Sequence, residues 1–200
     1  MKVGFFLHGI MMPQLIFVTG GARSGKSQFA QDCAFSLPGE KVYIATAEPL
    51  DEEMAEKIAA HRKARPPDWG TVEEPRHLGK VVVKCAATYD VLLIDCLTLW
   101  ISNLLDNNPL KEREINDEVR ILVENCKSVS STVIIVSNEL GMGIVPLDGL
   151  TRLYRDIVGK ANQQIAAAAD EVFLLVSGIA LKIKGNTDKK NRIQKSEISL

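Results

Sequence analysis

Short apolar runs with almost no polar interruption recur along the chain. They are LIFVT (Leu15–Thr19), VYIAT (Val42–Thr46), VLLID (Val91–Asp95), TVIIVS (Thr132–Ser137) and EVFLLV (Glu171–Val176). Side chains alternate between the two faces of a strand, so a continuous β-branched and aliphatic run predicts a strand covered on both sides, as in a parallel sheet. Between these runs the pattern becomes helical, over Ser27–Ser36, Asp51–Arg65, Leu78–Ala87, Thr98–Leu105, Glu112–Val129 and Leu150–Ala168. Strand–helix alternation predicts an α/β fold with a mostly parallel central sheet and helices on both faces. ALKIK (Ala180–Lys184) adds a last strand after a turn at Ser177–Gly178.

The length of 200 residues suits a single domain with a sizeable core. Residues 1–13 read as an N-terminal extension, residues 14–184 as the domain, and the polar, aperiodic residues 185–200 as a disordered tail. The extension resembles a short signal peptide but lacks a small-x-small cleavage site, and Met11 and Met12 offer alternative starts. No other apolar run is long enough to span a membrane. A formal net charge of -1 gives no global pull toward nucleic acid, so any anion site must be local. Cys33, Cys85, Cys96 and Cys126 are widely spaced and form no C-x-x-C pair, which predicts reduced thiols in a cytoplasmic protein.

GGARSGKS, Gly20–Ser27, fits G-x-x-x-x-G-K-[ST] and lies between an apolar run and a helical pattern. In a phosphate-binding loop, Gly20, Gly21, Ala22, Arg23, Ser24 and Gly25 wrap the backbone so that its N–H groups face phosphate oxygens. The following helix N-terminus adds positive potential. Lys26 would reach the β/γ-phosphates and Ser27 would hold Mg²⁺. A glycine-rich strand–helix turn is the alternative. P-loop NTPases place a carboxylate for the metal at the end of a neighbouring buried strand, and Asp95 fits.

The predicted helix Asp51–Arg65 carries Met54, Ile58, His61 and Arg65 at spacings of four, three and four, hence on one face. That spacing suits a hydrogen-bonded core histidine. The basic neighbours Arg62, Lys63 and Arg65 also suit a histidine that attacks a nucleotide α-phosphorus, with cations balancing the developing charge. The helix begins after a strand, at the sheet edge where α/β proteins bind ligands.

Four long segments, VTGGARSGKS, YIATAEPLDEEMAEKIAAHRKARPPDWGTVEEP, LLIDCLTLWISNLL and VSNELGMGIVPLDGLTRLYRDIVGKANQQIAAAADEVFLLVSGIALKIK, resemble in order the bifunctional adenosylcobinamide kinase / adenosylcobinamide-phosphate guanylyltransferase family. The resemblance covers Gln14 to Lys184. It implies a P-loop NTPase-like enzyme of cobalamin biosynthesis that phosphorylates adenosylcobinamide with ATP or GTP. The enzyme then transfers GMP from GTP to the product through a GMP–histidine intermediate. His61 matches the family's histidine, with Arg65 and Pro66 completing its element. The resemblance further assigns nucleotide contacts to Ala47, Glu48 and Pro49, to Ala64, Arg65, Pro66 and Pro67, and to Glu73 and Asp95. Glu73 also reads as a solvated loop acid. A homo-oligomer, possibly a trimer, is implied as well.

Arg152, Arg155 and Asp156 on one predicted helix, with Asn162 and Gln163 after them, resemble further family elements; a buried Arg–Asp pair is the reading preferred there, and for Trp69 and Trp100 a packing role is expected. A plain P-loop small-molecule kinase with a structural His61, and a nucleotide-gated binding module without transferase activity, are the competing readings.

Overall fold

The computed structural model describes residues 14–48, 52, 56, 62, 67–106 and 109–185. Seven strands form one sheet: β1 (Leu15–Gly20), β2 (Lys41–Ala45), β3 (Gly70–Glu73), β4 (Val91–Asp95), β5 (Thr132–Val136), β6 (Glu171–Val176) and β7 (Ile179–Lys184). Their order across the sheet is β3-β2-β4-β5-β1-β6-β7. All neighbours pair parallel except β6 and β7. Five helices are described: α1 (Lys26–Ser36), α2 (Leu78–Ala86), α3 (Leu97–Leu105), α4 (Glu112–Ser128) and α5 (Gly149–Ala168). None among the described residues is long and apolar enough to cross a membrane.

The continuous apolar runs do what a parallel sheet requires. Alternate residues of β1, β2, β4, β5 and β6 enter two separate cores. Leu15 and Phe17 of β1, with Leu92 and Ile94 of β4, face the larger core, which α2, α3, α4 and α5 close. Ile16 and Val18, with Val91 and Leu93, face a smaller core in which α1 contributes Ala30 and Ala34. Small residues on α1 let its backbone lie close to the sheet, holding the loop before it rigidly at the sheet edge.

One strand differs from the sequence pattern. Gly70–Glu73 carries no apolar run and alternates between half-buried and exposed residues, yet it pairs with β2 as an edge strand. Such a segment has no local signal, because its pairing is made to a strand nearly thirty residues away. The β6–β7 hairpin follows expectation. Ser177 and Gly178 both have positive φ, 51° and 82°, as a two-residue turn between right-twisted strands demands.

Both tryptophans pack. Trp100 is fully buried and its indole N–H donates to the Arg76 carbonyl at 2.8 Å, and Trp69 is buried in the smaller core. The four cysteines are free, with Cys85 and Cys126 buried and Cys33 and Cys96 half-buried. The expected buried Arg–Asp pair is not formed. Arg155 is close to Asp156 at 3.6 Å, but the Asp156 carboxylate is exposed. Adjacent helix positions point in different directions, so both cannot enter the core.

Candidate active site

The loop between β1 and α1 wraps because its backbone visits conformations that few residues tolerate. Gly20 and Gly25 have φ of 149° and 92°, and Arg23 lies at 55°. A Cβ at Gly20 would collide with the backbone carbonyl oxygen of Leu175 on β6. Gly20→Ala is therefore expected to cost about 2–3 kcal/mol and to lower Tm by roughly 4–12 °C. Gly21→Ala, where a Cβ meets nothing within 4 Å, should leave Tm near that of the parent. Equal melting of the two variants would refute this account of the loop.

Lys26 opens α1 and is 6% exposed. Its ammonium donates to the Gly21 carbonyl at 2.6 Å and lies 3.5 Å from Ser24 Oγ. The side chain is thus folded back over its own loop. Burial holds the ammonium below the ordinary lysine range, opposed by Cys96 and Asp95. Cys96 is itself pushed up to about 11, by burial and then by Asp95, so at neutral pH it is an uncharged thiol. The countercharge is therefore Asp95.

Asp95 ends β4, which is not the neighbour of β1. β5 lies between them, a correction to the expectation of an adjacent strand. Val136 of β5 is in register with both Val18 and Asp95, so Asp95 stands level with Val18, two residues before β1 ends at Gly20. They stand two strand spacings apart, about 10 Å. That separation leaves a cavity of about 430 Å³ at the C-terminal edge of the sheet. Arg23, Ser24, Gly25, Lys26 and Ser27 line one side, and Asp95, Cys96 and Asn138 contribute to the rest. The Asp95 Oδ2 atom accepts from the Tyr43 hydroxyl at 2.7 Å, which fixes the carboxylate.

The expected residues thus divide. Arg23 to Ser27 and Asp95 converge on the cavity, while Gly20, Gly21 and Ala22 belong to the same loop without lining it. Ala47 and Glu48 follow β2 half-buried, and Pro67 is exposed in a turn; none of the three lines the cavity. Glu73 is on edge strand β3 rather than in a loop. It forms a two-pronged hydrogen-bonded pair with Arg62 at 2.8 and 2.7 Å. Both are about half exposed, so the pair adds little stability. It does tie the position after His61 to the sheet edge. Glu52, Glu56 and Arg62 are helical, in keeping with the predicted second helix. His61, Pro49, Ala64, Arg65 and Pro66 lie outside the described residues.

Asn138 was not among the expected site residues. A polar residue directly after an apolar strand is a usable signal in an α/β chain, but the glycines that follow draw attention away from it.

The cavity's basic, glycine-built rim and single carboxylate suit a nucleoside triphosphate. Comparisons with known proteins agree. The model of one family, cobinamide kinase / cobinamide phosphate guanyltransferase (CobU), matches residues 16–183. The chain is 46% identical over 181 residues to the bifunctional adenosylcobalamin biosynthesis protein CobU of Salmonella typhimurium (strain LT2), covering 85% of this chain and 99% of the relative. It is 44% identical over 181 residues to the CobU protein of Escherichia coli (strain K12), with the same coverage. The CobP protein of Pseudomonas aeruginosa (strain PAO1), also described as a bifunctional adenosylcobalamin biosynthesis protein, is 41% identical over 169 residues, covering 84% of this chain and 96% of the relative. Among solved structures, PH0250 from Pyrococcus horikoshii OT3 shares the fold at TM-score 0.55, with 8% identity and 90% of each chain covered. With its phosphate loop, its facing carboxylate and this match along most of its length, the chain belongs to the cobinamide kinase / cobinamide phosphate guanyltransferase family.

Proposed function

We propose that the protein phosphorylates adenosylcobinamide with ATP or GTP and then transfers GMP from GTP to adenosylcobinamide phosphate, releasing pyrophosphate. The observation that carries the nucleotide site is the convergence of Lys26 and Asp95 on one cavity built by the β1–α1 loop. The substrate reading rests on the family match and its curated relatives.

In the kinase step the loop N–H groups and the Lys26 ammonium neutralise the triphosphate. Lys26 must release the Gly21 carbonyl to do so, exchanging one partner for a stronger anionic one. Mg²⁺ fits the donors present. Ser27 and Asp95 offer hard oxygen atoms, and among the described residues no three His, Cys, Asp or Glu side chains converge as an all-protein metal cage would need. One hydroxyl and one carboxylate, completed by phosphate oxygens and water, is the usual magnesium arrangement. When bound, the ion would offset charge on the β- and γ-phosphates.

In the transfer step we assign the nucleophile to His61. Its imidazole attacks the α-phosphorus of GTP, pyrophosphate leaves, and the phosphate of adenosylcobinamide phosphate then takes the GMP. The assigned GTP contacts are the Ala47–Pro49 and Ala64–Pro67 segments, Glu73 and Asp95. The Arg62–Glu73 pair joins Arg62 to edge strand β3, which carries one of these assigned contacts.

We also read the protein as a homo-oligomer, in the trimeric form that the family resemblance implies. The β5–α5 connection supports this: Ile144 and Leu147 are 95% and 98% exposed, with Met142 and Leu150 beside them in sequence. Isolated apolar residues at a surface are ordinary, but a run of them in one loop marks an interaction surface. The cytoplasm is the expected compartment, in keeping with four free cysteines.

The test is direct. Purified protein with Mg²⁺, GTP and adenosylcobinamide should yield the phosphate ester and then adenosylcobinamide-GDP, separable by chromatography. A folded, GTP-binding protein that makes neither product would sink the proposal.

A further inference from the structure

Asn138 sits where the two halves of the cavity meet. It follows β5, the strand inserted between the phosphate-loop strand and the Asp95 strand, and it lines the cavity with Lys26 and Asp95. Its surroundings hold it in place from two directions. Its side-chain Nδ2 donates to Thr98 Oγ1 at 3.0 Å. Thr98 is buried, its hydroxyl contacts Cys96 Sγ at 3.0 Å, and its carbonyl accepts from the Tyr154 hydroxyl at 2.9 Å. On the backbone side, the Asn138 carbonyl accepts from Asn162 Nδ2 at 3.0 Å, while Asn162 Oδ1 accepts from the Ser137 hydroxyl at 2.7 Å. The next residue, Glu139, donates its backbone N–H to the carbonyl of Gly20, the first residue of the phosphate loop.

This framework leaves one atom uncommitted. With Nδ2 turned to Thr98, Asn138 Oδ1 accepts no hydrogen bond from a described residue. A carboxamide oxygen carries no proton and repels phosphate oxygens, so in a cavity built for a triphosphate its complement is an O–H donor. We propose that Asn138 is a positioning residue for the kinase step, its Oδ1 accepting a hydrogen bond from the acceptor alcohol and so aiming that hydroxyl at the γ-phosphorus. This rests on the reading of the cavity as the kinase site.

The bookkeeping of the step is simple. The acceptor oxygen forms a bond to the γ-phosphorus, the bond from that phosphorus to the β–γ bridging oxygen breaks, and the nucleoside diphosphate leaves. The hydroxyl proton passes to a non-bridging oxygen of the transferred group. Asn138 orients the O–H and takes no proton, consistent with the weak basicity of an amide. Its contribution is geometric, and misplacing a reactant by about 1 Å costs on the order of 100-fold.

The experiment compares Asn138→Ala, Asn138→Leu and Thr98→Val with the parent protein. Three quantities are measured: phosphorylation of adenosylcobinamide, hydrolysis of the nucleotide by water without acceptor, and nucleotide affinity. Both Asn138 variants should transfer about 10- to 100-fold more slowly, with nucleotide Kd within about threefold and hydrolysis lowered by a clearly smaller factor than transfer. Thr98→Val should move the same ratio of transfer to hydrolysis by a smaller factor, because it only frees the amide to rotate. A purely structural role would lower transfer and hydrolysis by the same factor, which overturns the proposal. So would a loss of nucleotide affinity that accounts for the lost turnover, or full recovery at raised Mg²⁺, either of which would give Oδ1 a different partner. Thermal melting identifies a variant that fails to fold, and Asn138→Leu, close in volume, then stands in for Asn138→Ala. If the parent protein itself does not phosphorylate adenosylcobinamide, the underlying function is wrong, a result distinct from any variant effect.

Discussion

Lys26→Met is expected to reduce phosphoryl transfer by about 100- to 1,000-fold, the usual cost of removing one preorganised charge-stabilising donor. The protein should nevertheless stay folded. Lys26 is 6% exposed, and burial holds its ammonium below the ordinary lysine range. A lowered lysine pKa means that the folded environment disfavours the charged form. Exchange for an unbranched apolar side chain of similar length removes that cost along with the hydrogen bond to the Gly21 carbonyl. Tm is therefore expected to hold or rise while kcat collapses. If Tm falls sharply instead, Lys26 serves mainly to brace the loop. Guanylyl transfer in the same variant answers a second question. Loss of both reactions means that one loop positions the triphosphate for both, and an unaffected transfer step means that the loop serves the kinase alone.

Loss of the covalent intermediate is the second large effect. Wild-type protein mixed with Mg²⁺ and GTP labelled at the α-phosphate should retain label after denaturation. The label should be labile to acid and stable to base, as a phosphorus–nitrogen bond to imidazole is. His61→Ala should retain none, and GMP transfer should stop while much of the kinase step survives, since the latter needs no nitrogen nucleophile. Absence of label in folded, GTP-binding wild-type protein would leave a plain kinase with a structural histidine. Equal loss of both reactions in a folded His61→Ala protein would make His61 a shared binding residue.

Arg62 has a different part in that region. The sequence groups Arg62, Lys63 and Arg65 as cations around His61, available to a triphosphate. In the fold, Arg62 is paired with Glu73 through two hydrogen bonds, so this cation is engaged with a carboxylate across eleven residues of chain. The pairing depends on β3, a four-residue edge strand that carries no apolar run. Neither the strand nor the pair is visible to periodicity, which registers only neighbours along the chain.

Most of the architecture was legible without coordinates. Each long strand announces itself by a run of β-branched and aliphatic residues, because burial on both faces of a parallel sheet requires apolar side chains at consecutive positions. The helices alternate with them in the predicted order, and α1 begins within one residue of its expected start. The phosphate loop was legible for the same reason. Its chemistry needs glycine, lysine and serine at fixed short spacing, and all of its parts lie within eight consecutive residues. What the amino-acid order alone determined, then, is the α/β class, the glycine-rich loop whose spacing suits a phosphate, and the family to which the chain belongs.

Only the tertiary structure decided how those parts face one another. The order of strands inserts β5 between β1 and β4, which sets Asp95 across a cavity from Lys26 rather than beside it and brings Asn138 between them. The same folding locks Asn138 through Thr98, forty residues away, and Asn162, twenty-four residues away. Strand order and side-chain networks arise from contacts between distant segments, and these satisfy hydrogen bonds and packing only once the whole sheet has assembled.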